Sequence, residues 1–114
     1  MTGPRGFDYA AQRAETERVW ADLSARHSLP ETALLDLHFE AGPGADAVEF
    51  MGWLEDHGYD VEHYPADEDE PEAIEVQTPE MALSPATIHA EERRCTEVAL
   101  THGFRPTGWG FMGI

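Results

Sequence analysis

Lysine is absent from this 114-residue chain, and cysteine occurs once, as Cys95. All seven basic residues are arginines, set against 23 acids, for a net charge of −16. So few cations exclude a nucleic-acid backbone or an anionic membrane as the expected partner, because affinity for phosphate comes from Lys and Arg neutralising it. One cysteine excludes an internal disulfide and fits a reducing compartment, so a cytoplasmic location is expected. No apolar run approaches the roughly 20 residues that a membrane-spanning helix needs. The first residues, Met1 to Phe7, hold no apolar stretch of the kind a secretory signal carries. Glycine (10) and proline (8) are too few for a low-complexity or collagen-like chain.

What is present is a globular composition, 41% hydrophobic, in a length that suits one core rather than two. The acid excess spreads a negative potential over most of so small a surface, which favours cationic partners such as basic protein segments and also promotes solubility.

After a frayed end, residues 8 to about 27 suit a helix capped by Asp8, with Trp20 and Leu23 giving a thin apolar edge. The helix is expected to lean on the body of the protein. Leu34 to Glu40 alternates as a strand, with Leu35, Leu37 and Phe39 on one face. Ala41-Gly42-Pro43-Gly44 breaks the strand, and Asp46 opens a second helix that runs to about His57. Its expected apolar stripe passes through Val48, Met51 and Leu54 or Glu55, with Phe50 and Trp53 beside it, and Gly58 is placed to cap it. Tyr59–Tyr64 and Ala73–Thr78 read as strands of a hairpin around the acidic tip Asp67-Glu68-Asp69-Glu70. Ser84-Pro85 starts a third helix, with Ile88, Cys95, Val98, Ala99 and His102 along one side, and Gly103 ends it. Phe104 to Phe111 is the last strand.

This order predicts an α+β fold: a ferredoxin-like split βαβ (βαββαβ) antiparallel sheet with two helices on one face, preceded by an extra N-terminal helix. The expected division is 1–30 for the N-terminal helix and frayed end, and 31–114 for the ferredoxin-like domain. Strand parity puts Leu35, Leu37, Phe39, Tyr59, Val61, Ile74 and Val76 against the helices. It puts Asp36, His38, Glu40, Asp60, Glu62, Tyr64, Glu75 and Gln77 on the other face. If Trp109 is buried, Gly108 and Gly110 join that acidic face and leave bare backbone there.

The strand Leu34–Glu40, the helix end His57-Gly58, Tyr59-Asp60-Val61, the acidic hairpin, Ser84-Pro85 and the terminal Gly108-Trp109-Gly110 together resemble the regulator of ribonuclease E activity B family over about 34–111. The chain departs from that family at Arg105-Pro106-Thr107, where members commonly carry an aromatic and an acid. The resemblance implies a cytoplasmic bacterial inhibitor that binds ribonuclease E and changes which RNAs it cuts, with no catalysis of its own.

The residues lead to a compatible reading: an acidic, non-catalytic protein-binding regulator that docks on a basic segment, with no direct contact to RNA. The expected protein-binding residues are Asp36, Glu40, Asp60, Glu62, Glu75, Gly108 and Gly110. The alternatives are a small-ligand-binding or self-associating module, and an enzyme built around Tyr64, His38 and nearby carboxylates. No catalytic residue, cofactor or metal is expected. The six histidines form no tight pair, and Asp67-Glu68-Asp69-Glu70 lacks the spaced acids and turn glycine of a calcium loop. His57 and His102 each precede a helix-ending glycine, where imidazole favours the helix dipole.

Cys95 sits on the apolar side of its helix, where a cysteine is normally a small, inert core residue. Folded protein is therefore expected to react slowly with thiol reagents and to purify without stoichiometric metal. Rapid alkylation of Cys95 at neutral pH would restore the enzyme reading.

Overall fold

Side-chain caps decide where the helices begin. Asp8, Asp46 and Ser84 accept the backbone N–H groups of Ala11, Glu49 and Thr87 at 2.9, 3.1 and 3.1 Å, satisfying donors that would otherwise be orphaned at a helix start. The helices that follow are α1 (Tyr9–Arg26), α2 (Ala47–Asp56) and α3 (Pro85–Thr101). A computed structural model describes residues 6–111; most of the expected frayed end lies outside the described residues.

Four strands, β1 (Thr32–Ala41), β2 (Asp60–Tyr64), β3 (Ala73–Ala82) and β4 (Phe104–Phe111), form one sheet in the order β2-β3-β1-β4. Every pairing is antiparallel. This is the expected ferredoxin-like arrangement with a helix in front. Leu35, Leu37, Phe39, Ile74 and Val76 are at most 1% exposed and face the helices. Burying each such side chain contributes about 1.5–3 kcal/mol. Phe50 of α2 meets Phe39 edge-on at 5.3 Å and Phe104 at 5.4 Å.

Three details correct the sequence reading. The buried stripe of α2 runs through Phe50 and Leu54, whereas Val48 is 76% exposed, because Val48 lies about 100° round the helix from Ala47, which packs on the core. Both β1 and β3 extend further than expected, pairing Thr32 with Ala82 and Leu34 with Glu80. Pro79, just past the expected end of β3 at Thr78, is absorbed in a bulge. There the Leu35 N–H donates to Thr78 Oγ1 at 3.0 Å, and Thr78 Oγ1 donates to the Pro79 carbonyl at 2.7 Å. Finally, β2 begins at Asp60, one residue later than expected, with Tyr59 already buried beneath it.

A second bulge lies in β4. His38 pairs with Gly108 but Phe39 pairs with Pro106, so Thr107 is the extra residue. Gly108 adopts φ +153° there, a backbone state that side chains disfavour. The inserted residue reverses the alternation and lets Phe104 and Trp109 both point to the helix side despite their opposite parity.

The turn after α3 packs backbone to backbone on the loop before α2. Gly42 N–H donates to the Gly103 carbonyl, and Asp46 N–H to the His102 carbonyl, each at 2.8 Å. Gly103 has φ +82°, and a Cβ on it would lie 2.8 Å from Ala45 Cα. Gly58 has a similar φ of +89° with nothing within 4 Å of such a Cβ. Replacing Gly58 with Ala should therefore cost about 1 kcal/mol, from backbone strain alone. Replacing Gly103 with Ala should cost upwards of about 2 kcal/mol, because the loop must also move. Denaturant melts of the two variants measure the difference.

Candidate functional site

The sheet face away from the helices carries cross-strand rows that follow directly from register. One row is Asp60, Gln77, Asp36 and Gly110, and the next is Glu62, Glu75, His38 and Gly108. A third is Tyr64, Ala73, Glu40 and Arg105. All seven residues proposed from the sequence stand in these rows. Asp36, Asp60, Glu62 and Glu75 gather around one shallow depression of ≈ 290 Å³. Strands lie about 4.8 Å apart, so each of these four carboxylates has another of the set within about one Debye length, 8 Å at physiological salt, and their fields add.

Neutral donors hold part of this charge in place. Gln77 Nε2 donates to Asp36 Oδ1 at 2.9 Å, and Tyr64 Oη donates to Glu62 Oε1 at 2.8 Å. That bond to Glu62 raises the Tyr64 pKa above its usual value. His38 Nδ1 stands 3.6 Å from Glu75. Among the described residues no arginine pairs with Asp36, Asp60, Glu62 or Glu75. Glu40 differs: Arg105 donates to it at 3.0 Å, so its charge is partly balanced. A Cβ on Gly108 or Gly110 would meet nothing within 4 Å, so this part of the sheet is open.

The other residues weighed from the sequence lie apart. His38 on β1 and Tyr64 on β2 are separated by β3 and share no hydrogen bond. His57 Nδ1 lies 2.7 Å from the Trp53 carbonyl at the end of α2. His63 pairs with Glu72 at 2.7 Å beside the hairpin loop. Cys95 is fully buried, and burial pushes its thiol up to about 12. Among the described residues no group of three or more His, Cys, Asp or Glu is placed to hold a metal ion.

Sequence reasoning missed the seam between α1 and α3. Trp109 Nε1–H donates to Thr16 Oγ1 at 3.2 Å, and Thr16 in turn donates to the Glu92 carboxyl. Gln12 bridges the same helices, donating to Thr96 Oγ1 at 3.2 Å and meeting His89 Nε2 at 3.1 Å. Thr16, His89, Glu92 and Thr96 are all buried. They recur at helical spacing on α3, as 89, 92 and 96, but a polar stripe reads as surface until α1 is known to cover it. Beside this seam, a cleft of ≈ 590 Å³ opens between α1 and β4, with Trp109, Pro106 and Val19 in its walls.

Burial raises the Glu92 pKa from 4.5 to about 7, against a smaller opposing effect of the Thr16 hydrogen bond. Its charged form is thus disfavoured by the fold, and the resulting destabilisation is absent below pH 4.5 and fully developed above pH 7. His89 is shifted down by burial and by Arg13 and Arg93, so its destabilising effect lies on the acid side. Glu92→Gln should therefore match the wild type near pH 5 and exceed it near pH 8, by up to about 3 kcal/mol. Urea titrations of both proteins across that range test the sign, since His89 is common to the two.

The profile of the family described as regulator of ribonuclease activity B matches residues 12–111. The match takes in α1 from its first turn and runs to the last residue of β4. No curated protein matches the chain. The match covers most of the chain, and this chain therefore belongs to the regulator of ribonuclease activity B family.

Proposed function

We propose that this protein is a non-catalytic regulator that lays its open sheet face on a basic segment of an endoribonuclease of the ribonuclease E type. It masks that segment from RNA and performs no bond chemistry of its own. The family carries the first half of this reading, a ribonuclease as the regulated partner. The second half rests on one observation: Asp36, Asp60, Glu62 and Glu75 converge on an uncovered face, with no arginine paired to them among the described residues.

The chemistry of that face separates protein from RNA as the partner. RNA-binding sheets of this topology offer stacking aromatics and cations. This face offers Tyr64 as its aromatic, tied to Glu62, and one arginine, tied to Glu40. Phosphate is repelled by it, and a segment rich in Arg or Lys is steered toward it at a rate that falls as salt rises. A regulator that competes with RNA for a cationic segment needs just these properties. A cytoplasmic location follows from such a partner.

Changing both Asp60 and Glu62 to Lys tests the face. Binding to a basic ribonuclease segment should weaken about tenfold at 0.1 M salt, while stability stays within about 0.5 kcal/mol of wild type. The wild type should not retain RNA on its own. Unchanged affinity in a folded double variant would reduce the acidic face to a solubility feature.

A further inference from the structure

Building on the docking reading above, we infer that the cleft between α1 and β4 is a pocket for an arginine side chain of the basic partner segment, with Glu92 receiving the guanidinium and Trp109 flanking its stem. The cleft measures ≈ 590 Å³, within the range of sites that hold ligands. Its charged lining is acidic: Glu92 lies in depth, and at the exposed rim stand Asp8, which caps α1, and Glu15, which is paired with Arg18.

Glu92 is the decisive group. It is 8% exposed, yet no cation pairs with it among the described residues. Its one hydrogen bond, from Thr16, engages Oε1. A buried carboxylate without a cation is costly, and the cost is relieved by a donor that reaches it inside the low-dielectric cleft. A guanidinium does so with two parallel N–H groups, whereas an ammonium presents a compact, strongly hydrated point charge. The walls select in the same direction. Trp109, Pro106 and Val19 present apolar surface to a three-carbon stem, and arginine stacks on aromatic rings more readily than lysine. The chain shows that geometry itself, with Arg93 over the Tyr9 ring at 4.7 Å and Arg94 over Trp53 at 5.8 Å.

The cleft also adjoins the acidic face. Gly108 lines the cleft and stands in the row of Glu62, Glu75 and His38. A segment crossing the open sheet reaches the cleft mouth over a residue with no side chain to obstruct it. This assigns Gly108 a place in the partner path as well as in the bulge.

Two 12-residue peptides of equal charge, one alternating Arg and Ser and the other Lys and Ser, discriminate the idea. Wild type should bind the arginine peptide about fivefold more tightly. Glu92→Gln should bring that ratio close to one while leaving affinity for the lysine peptide nearly unchanged. Val19→Trp, which fills the cleft from α1 without touching the buried hydrogen bonds, should do the same and covers the case in which the Glu92 variant folds poorly. The Asp60/Glu62 double reversal should weaken both peptides alike and preserve the ratio. Loss of the arginine preference in the cleft variants, with the double reversal silent, would keep the pocket and discard the sheet face. A wild type without arginine preference, or a folded cleft variant that retains it, overturns the pocket and leaves the sheet-face reading to its own test.

Discussion

Burial of Leu35, Leu37 and Phe39, each at most 1% exposed, sets the register of β1, and β1 is the strand on which both β3 and β4 pair. A slip of one residue would turn all three outward and bring Asp36, His38 and Glu40 into the core, which no available partner could compensate. The same constraint that builds the core therefore assembles the acidic face. Once Leu37 is held in the core that Phe50 and Ile88 share, the opposite parity of three strands collects Asp36, Asp60, Glu62 and Glu75 at adjacent positions. Stability and the proposed partner surface are two consequences of one alternation.

The two bulges show how that alternation is kept where the chain resists it. Pro79 cannot donate to a ladder, and beside it the Thr78 hydroxyl accepts the Leu35 N–H in place of a backbone carbonyl while donating to the Pro79 carbonyl. Thr107 shifts the parity of β4, so that Phe104 fills the core near Phe50 while Trp109 reaches Thr16. Without the shift, one of these large aromatics would lie on the acidic face.

Attachment of α1 follows a different principle. Its one fully buried residue is Thr16, and its apolar edge is thin. The helix is held by a relay of polar groups, Trp109 to Thr16 to Glu92, with Gln12 joining His89 and Thr96. Buried networks of this kind are worth little in net stability compared with an apolar seam, and they fix geometry closely when every member is satisfied. In this protein they fix the walls of the cleft beside the sheet edge, placing a buried carboxyl next to an indole at the border of the acidic face.

Most of the fold was legible because its signals are local. Alternation in Leu34–Glu40, caps at Asp8, Asp46 and Ser84, and the glycines Gly58 and Gly103 each act within a few residues. From these the sequence determined the element order, the antiparallel sheet, the core residues of three strands and the composition of the acidic face. Tertiary structure alone decided the rest. That Val48 faces water, that β3 continues past Pro79, and that Thr107 is an extra residue depend on which neighbour each strand or helix meets. Burial of Glu92 and His89 depends on α1 packing from more than 70 residues away in the chain, as the separations of 76 and 77 across those hydrogen bonds show. Polar side chains at helical spacing carry no sign of whether water or another helix covers them, because either supplies the hydrogen bonds they need.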